Sequence, residues 1–292
     1  MNPSTPAATA EPGHWDQRYR QGADGWELGR PAPPLERFLR SHPLAPRPPG
    51  TVLVPGCGRG HEAALLEQLG FSAIGLDFSG EALAEARSLH GPDRAALRWL
   101  QADLFDQQAL EAAGLAPGSL SGIVEHTCFC AIDPGRRDAY IATVRRLLAP
   151  GGWLLGLFWC HGNPGGPPWG SDPEVVAAQL ARAGLVAELW EPASGSVDQR
   201  QDEWIGLWRR PLHPVPGHYG QQAGHAAEAG DAREGEPGPH EAAQPDPARG
   251  HHLAEDHPQQ HQAAGDDLHL AHQRQRRPLE LVHREAGLLP GG

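Results

Sequence analysis

The sequence predicts an α/β fold in which helices cover both faces of a mostly parallel, seven-stranded sheet with an antiparallel edge strand. Short apolar runs alternate with helical segments through the first 210 residues, as in parallel sheets whose crossover connections are helices. The first run ends in a glycine cluster. The last two runs lie close together with no long helix between them, which indicates antiparallel pairing of the final strand.

The predicted strands are short segments rich in Val, Ile, Leu and Trp, residue types that sheets favour. Continuous apolar runs such as T-V-L-V are typical of strands that are buried on both faces. In chain order the predicted strands span residues 51–54, 72–77, 96–103, 122–127, 153–159, 186–192 and 203–210.

The predicted helices carry boundary signals of their own. Ser79 suits an N-cap, and Gly70 suits the end of the helix before it. Asp133 and Pro134 supply an N-cap carboxylate followed by proline at the first helical position, so the clearest helix begins there. The predicted helices span residues 35–39, 61–69, 80–89, 134–148 and 173–183.

Composition divides the chain near residue 210. Of the 17 His, 11 lie after Arg210, in a stretch with few consecutive apolar residues and many Pro, Gly and Gln. Such a composition cannot bury enough apolar surface to offset chain entropy. We therefore expect a disordered leader at 1–13, a catalytic domain at 14–210 and a low-complexity, disordered tail at 211–292. Metal binding by the tail histidines and a frame-shifted reading of the tail are open alternatives.

The formal net charge of -12 at pH 7 argues against nucleic acid and anionic membranes as partners, because like charges repel. No stretch approaches the length of a membrane span, and the first residues lack the regions of a secretory signal. Four Cys in such a chain indicate reduced thiols and a cytoplasmic location. Cys128 and Cys130 have no second pair at zinc-finger spacing, so we expect no metal. A monomer that acts on a small molecule is expected.

The glycine cluster after the first predicted strand has the pattern Gly56-x-Gly58-x-Gly60. Glycines allow the backbone to approach a ligand without a Cβ clash, and α/β sheets bind ligands at this end of their strands. A dinucleotide-binding loop would carry a third glycine at the sixth position from Gly56, where this chain has His61. The spacing therefore disfavours a nicotinamide-dependent dehydrogenase.

Carboxylates follow the second and third predicted strands. Asp77 ends the second strand, where it could accept hydrogen bonds from both hydroxyls of a ribose. Asp103 follows the third strand, where it could accept from an adenine amino group while Leu104 covers the ring. A solvated turn and a polar strand end are the plain alternatives. Ligand-facing groups after consecutive strands together predict a nucleoside site.

The sequence resembles the thiopurine S-methyltransferase family of class I methyltransferases, which includes halide and thiol methyltransferases. The matching segments are HWDQRYRQGADGWELGRPAPPL, VLVPGCGRGHEAALLEQLG, IGLDFS, FCAIDPGRRDAY, LLAPGGWLL and GNPGGPPW. They cover residues 14–210, and Pro55 favours this family over class I relatives with an acidic residue there. The resemblance implies a Rossmann-like fold, S-adenosylmethionine as cofactor and S-adenosylhomocysteine as product.

The resemblance also implies roles for individual residues. Aromatic residues of the N-terminal segment would cover the cofactor, where their faces could attract a sulfonium. Arg137 would border the acceptor pocket, together with His126 and Trp169. The residues implied in cofactor binding are Trp15, Tyr19, Trp26, Gly56, Gly58, Gly60, Asp77, Asp103, Leu104 and Glu125.

The chain departs from the family pattern near the expected acceptor pocket. Glu125 and His126 replace a frequent Asp-Tyr pair, Cys128-Phe129-Cys130 replaces Phe-Phe-Cys, and Trp169 replaces a tyrosine. We predict in-line methyl transfer to a small soft nucleophile: a thiol, thiopurine, halide or chalcogen oxyanion. A base such as Glu125 or His126 is not required, because an ionised acceptor mainly needs orientation. Transfer to O or N of another metabolite, or a degenerate cofactor-binding or interaction protein, are the alternatives.

Overall fold

The computed structural model describes residues 11–42 and 50–213. The strands in this part of the chain are β1 Thr51–Pro55, β2 Ser72–Asp77, β3 Leu97–Gln101, β4 Leu120–His126, β5 Leu148–Trp159, β6 Val186–Pro192 and β7 Glu203–Arg209. They form a seven-stranded sheet in the order β3-β2-β1-β4-β5-β7-β6. Strands β1 to β5 are parallel, and β7 is antiparallel to both β5 and the edge strand β6. The predicted mixed sheet is confirmed.

The helices are α1 Pro12–Gln21, α2 Pro33–Ser41, α3 His61–Gln68, α4 Gly80–His90, α5 Gln107–Ala112, α6 Arg137–Leu147 and α7 Pro173–Arg182. The predicted cap of α4 is present, because the Ser79 hydroxyl accepts from the Ala82 N–H at 3.2 Å. Helices α1 and α5 were not predicted. Each buries a single residue, Tyr19 and Leu110 respectively, so neither shows the apolar stripe that sequence patterns detect.

Two predicted boundaries differ from the structure. Residues 134–136 form a 3₁₀ turn capped by Asp133, and α6 begins only at Arg137. The predicted strand at 153–159 begins earlier in the structure: β5 already includes Leu148 and the A-P-G-G segment at 149–152 that was expected to end the preceding helix, because Leu148 pairs with Leu120 across a register shift.

The sheet buries both of its faces. Successive strand residues point to opposite sides, so Val52 and Val54 of β1 pack in a core with α2, α3 and α4. Leu53, between them, packs in a second core with α5, α6 and α7. This two-sided packing leaves the carboxyl ends of the parallel strands as one open edge, which is where ligands bind in such sheets.

The predicted leader and tail lie largely outside the described residues and stay predictions. Residues 12 and 13, which the sequence analysis assigns to the leader, form the start of α1. No helix within residues 11–42 and 50–213 is long and apolar enough to cross a membrane.

Candidate active site

A cavity of about 350 Å³ opens at the carboxyl ends of the parallel strands, beneath the N-terminal segment. We call residues 12–30 of this segment the lid. The cavity is lined by lid residues and by residues at the ends of β1 to β5, among them Trp15, Tyr19, Trp26, Gly56, Asp77, Phe78, Asp103, Leu104, Phe105, Thr127, Cys128 and Trp159. Its size and position suit a small organic ligand.

The three glycines after β1 differ in what they contact. Gly56, Gly58 and Gly60 all have positive φ, a conformation that side chains disfavour. Gly56 lines the cavity. A Cβ on Gly58 would lie 2.8 Å from the Tyr19 hydroxyl, and a Cβ on Gly60 would lie 2.4 Å from the Trp99 ring. Gly60 thus packs the loop against the core, and of the three glycines only Gly56 lines the cavity; the predicted cofactor roles of Gly58 and Gly60 stay predictions.

Asp77 is 7% exposed and lines the cavity. Its Oδ2 accepts from the Gly58 N–H and its Oδ1 from the Ser79 N–H, both at 2.9 Å. Burial raises the pKa of Asp77 to about 6, although these backbone hydrogen bonds favour the ionised form. Each carboxylate oxygen has a second lone pair. The side chain therefore retains two acceptor positions, which fits a diol such as ribose.

Asp103, Leu104 and Phe105 follow β3 and line the same cavity. The exposed Asp103 accepts from the Phe105 N–H at 2.9 Å, which holds its carboxylate at the end of the strand. Leu104 is buried in the core. The Arg136 guanidinium lies 3.8 Å from the centre of the Phe105 ring. This carboxylate beside apolar surface suits a purine ring with an amino group.

The lid places its aromatic residues over the cavity, as the family resemblance implies. The rings of Trp15 and Trp26 meet edge to face at 5.5 Å, and those of Tyr19 and Trp26 at 5.7 Å. All three rings line the cavity. The Ser79 hydroxyl also donates to Asp16 of α1 at 2.6 Å, so the lid is attached beside Asp77.

Ion pairs fasten the lid to the glycine loop. The Arg59 guanidinium lies 2.5 Å from Asp24 and 3.4 Å from Glu27, both of the lid, and pairs with Glu85 of α4. Burial opposes ionisation of Glu27, but hydrogen bonds from His61 and the Gly29 N–H outweigh it. With the Arg59 charge they lower the pKa of Glu27 to about 2. We call the ion pairs of Arg59 with Asp24, Glu27 and Glu85 the clasp. Within the clasp, Glu27 stays ionised across the physiological pH range.

Glu125 does not line the cavity, and its predicted cofactor role stays a prediction. Its side chain is fully buried and lies outside the residues that line the cavity. One carboxylate oxygen accepts from the Phe129 N–H at 2.7 Å and the other from the Tyr140 hydroxyl. Burial raises the pKa of Glu125. These contacts hold the turn after β4 and leave no path to a bound acceptor.

Arg137 and Trp169 lie behind the wall of the cavity and do not line it. The Arg137 guanidinium donates to the carbonyls of Trp169 and Gly170 at 3.0 Å each. The Trp169 N–H donates to the Cys130 carbonyl at 2.7 Å. Arg137 therefore fixes the loop after β5, whose residues 167–168 line the cavity. These hydrogen bonds are structural contacts, and the predicted place of Arg137 beside the acceptor stays a prediction.

His126 also lies behind the cavity. Its Nδ1 is 3.0 Å from a Glu62 carboxylate oxygen and its Nε2 is 3.1 Å from an Arg200 nitrogen. It borders a smaller cavity of about 40 Å³ on the far side of the glycine loop. His126 thus contacts Arg200, which does line the main cavity, and its predicted place beside the acceptor stays a prediction.

Sequence reasoning missed the arginines that do line the cavity, namely Arg18, Arg136 and Arg200. Arg136 neighbours the predicted Arg137, and the later start of α6 turns Arg136 toward the cavity. Arg200 lies in a short 3₁₀ helix between β6 and β7, and no motif marks it. Within the described residues, no group of three or more His, Cys, Asp or Glu could hold a metal ion.

The profile of the thiopurine S-methyltransferase (TPMT) family matches residues 10–207, more than half of the chain. The chain belongs to the thiopurine S-methyltransferase family. Thiocyanate methyltransferase 1 of Arabidopsis thaliana is 29% identical over 206 residues, 69% of this chain and 86% of the relative. Probable thiol methyltransferase 2 of the same plant is 31% identical over 202 residues, 68% of this chain and 85% of the relative.

A solved structure supports the fold of this family member. The 1,6-didemethyltoxoflavin-N1-methyltransferase of Burkholderia thailandensis, with bound S-adenosylhomocysteine, superposes with a TM-score of 0.55 at 16% identity, over 72% of this chain and 92% of that one. The predicted family, enzyme class and cofactor are confirmed: the protein is an S-adenosylmethionine-dependent methyltransferase. Asp77, Asp103 and the lid aromatics fit this cofactor, because they combine a diol acceptor, an amino acceptor and faces for a cation.

Proposed function

We propose that this member of the thiopurine S-methyltransferase family methylates a small, soft, anionic nucleophile such as a thiolate. The relatives named for thiocyanate and thiol substrates support this acceptor class. The observation that carries the proposal is the Arg200 guanidinium, 4% exposed, in the wall of the cavity. A buried cation facing a cavity attracts an anion strongly, since little water screens it.

The sheet order separates the two ends of the cavity. Asp77 ends β2 and Asp103 follows β3, at one end of the sheet. Trp159 and Arg200 lie by β5 and β7, beyond β1 and β4. The first end suits the nucleoside. The second end is lined by Cys130, Trp159, Pro167, Pro168, Gln199 and Arg200, and we assign it to the acceptor. This end offers a single guanidinium in a largely apolar wall, which suits an acceptor that is both anionic and polarisable.

The bound cofactor supplies a methyl group on a cationic sulfur that is already activated for displacement. The protein's own residues orient the acceptor and exclude water. Arg200 favours the ionised acceptor, so no general base is needed. Burial raises the pKa of the Cys130 thiol to about 12, and the neighbouring Glu125 carboxylate adds to that effect. This wall thiol therefore stays protonated and does not compete for the methyl group.

The test is methyl transfer by the full chain to a panel of acceptors, followed through formation of S-adenosylhomocysteine. The panel contains benzenethiol, thiocyanate, iodide and selenite, with a phenol and an aromatic amine as oxygen and nitrogen acceptors. We expect turnover with a soft anion, and a KM for it that rises about tenfold or more in Arg200→Gln, because a charge-assisted contact is lost. Arg98→Gln, an exposed change on β3, is the matched control. Turnover with only the oxygen or nitrogen acceptor would contradict the proposal.

We further propose that the activity resides in residues 14–210 of a cytoplasmic monomer that uses no nucleic-acid or membrane partner. The net charge of -12 and the four cysteines, all unpaired within the described residues, support this. The Arg210 N–H still donates to the Gly152 carbonyl at 2.8 Å, just before the chain leaves the sheet. Deleting residues 214–292 should preserve donor affinity and a monomeric sedimentation coefficient. A truncated protein that fails to bind the donor would contradict this boundary.

A further inference from the structure

A chain of buried polar side chains supports Arg200 from behind the cavity. Glu62 of α3 is 6% exposed, His126 at the end of β4 is 9% exposed and Arg200 is 4% exposed. Glu62 accepts from the Ala32 N–H at 3.0 Å, which fixes its carboxylate. The same carboxylate oxygen lies 3.0 Å from Nδ1 of His126, and Nε2 of His126 lies 3.1 Å from Nη1 of Arg200.

The identity of the partners decides where the His126 proton lies. A guanidinium has only donors, so Nε2 of His126 must accept from Arg200. The proton of the neutral ring is then on Nδ1, which donates to Glu62. An imidazole is suited to this place, because it donates on one side while it accepts on the other.

The remaining contacts of Arg200 connect it to the lid. Its Nη2 donates to the Trp26 carbonyl, and its guanidinium lies 5.7 Å from the centre of the Trp159 ring. A competing partner is also present, since Glu203 of β7 lies 4.0 Å from Nη1. The arginine side chain has many rotamers. Without an acceptor at the position of Nε2, the guanidinium can turn toward Glu203.

We propose that His126 is a positioning residue, which holds the Arg200 guanidinium at the acceptor end of the cavity and so sets the affinity for anionic acceptors. This inference rests on the proposed function. His126 itself does not line the main cavity. It acts through Arg200, with which it is in direct contact.

The chain offers matched variants at this position. In His126→Gln the side-chain amide reaches the place of Nε2, so it can still accept from Arg200. In His126→Asn the shorter amide reaches only the place of Nδ1, so it satisfies Glu62 but not Arg200. The two variants are both uncharged amides, and they differ mainly in which neighbour they contact.

The experiment is calorimetric titration of thiocyanate and, separately, benzenethiolate into the full chain saturated with S-adenosylhomocysteine. We expect His126→Asn to weaken anion binding about tenfold, as for one lost hydrogen bond to a charged group, and His126→Gln to stay within about threefold. In an Arg200→Gln background, His126→Asn should weaken binding by no more than about twofold, because residues that act as one unit are not additive.

Five results would overturn the inference. If His126→Asn and His126→Gln weaken anion binding equally, the role of His126 is packing. The same conclusion follows if His126→Asn still weakens anion binding in the Arg200→Gln background. Anion binding that is unchanged in His126→Asn but weakened in Arg200→Gln would refute the positioning role alone. Failure of the unmodified protein to bind either anion, or unchanged binding in Arg200→Gln, would refute the proposed function as well. Thermal melting of each variant checks that it folds.

Discussion

Replacing Asp77 with asparagine tests whether this carboxylate binds the ribose of the donor. The change is nearly isosteric, so the cavity keeps its shape. The carboxylate now accepts from the Gly58 and Ser79 N–H groups at 2.9 Å each and has one lone pair per oxygen left for the cavity. Asparagine keeps one acceptor oxygen and presents an NH₂ group, which cannot accept, in place of the other.

The expected loss follows from these contacts. A hydrogen bond to a charged group contributes about 1.5–3 kcal/mol. Asparagine removes one such bond to the ribose and makes the other neutral, so we expect donor binding to weaken by about 2–4 kcal/mol, or about 30- to 1000-fold. One backbone N–H also loses its partner, which lowers the free energy of unfolding by about 1–3 kcal/mol. Asp77→Ala is a poorer test, because it frees both the glycine loop and the start of α4.

The assay is calorimetric titration with S-adenosylhomocysteine and with its 2′,3′-dideoxy analogue. The unmodified protein should prefer the natural compound strongly, and Asp77→Asn should lose most of this preference. Asp106→Asn is the control, because it removes the same charge from an exposed helix cap outside the cavity. Equal binding of the two compounds by the unmodified protein, or donor affinity within about threefold in Asp77→Asn, would refute the ribose assignment.

Further predictions concern pH, the clasp and the glycine loop. Ribose hydroxyls donate to the ionised form of Asp77, whose pKa is about 6, so donor binding should tighten as the pH rises through about 6. Binding near that pH should release a proton, which calorimetry in buffers of different ionisation enthalpy measures. Binding without proton release would contradict this prediction. Arg59→Gln should weaken donor binding about three- to thirtyfold and reduce its salt dependence, with Arg98→Gln unaffected. Gly58→Ala and Gly114→Ala both place a side chain at a positive φ, but only the Cβ at position 58 would clash with the Tyr19 hydroxyl of the lid. We therefore expect Gly58→Ala to lose donor affinity and Gly114→Ala to keep it. Equal donor affinities of the two variants would exclude an effect of the clash.

The sequence by itself determined the fold class and the edge of the sheet at which we expect the donor to bind. Strand β2 was predicted at 72–77 and spans Ser72–Asp77, and Ser79 caps the next helix as predicted. These features depend on local patterns: apolar alternation, capping residues and glycine spacing. Once strands and crossovers are known, the ends of parallel strands must meet at one edge, so Gly56 and Asp77 were predictable as neighbours.

Only the tertiary structure decided which side chains line the end of the cavity that we assign to the acceptor. Arg137 was expected at the acceptor and instead holds loop carbonyls, whereas Arg200 lines the cavity without any local signal. A long charged side chain takes the direction in which its buried hydrogen-bonding groups find partners. For Arg200 those partners are His126 of β4 and the carbonyl of Trp26 in the lid, 74 and 174 residues away along the chain. Contacts over such distances leave no period or spacing in the sequence, so folding has to bring them together before the role of the arginine becomes visible.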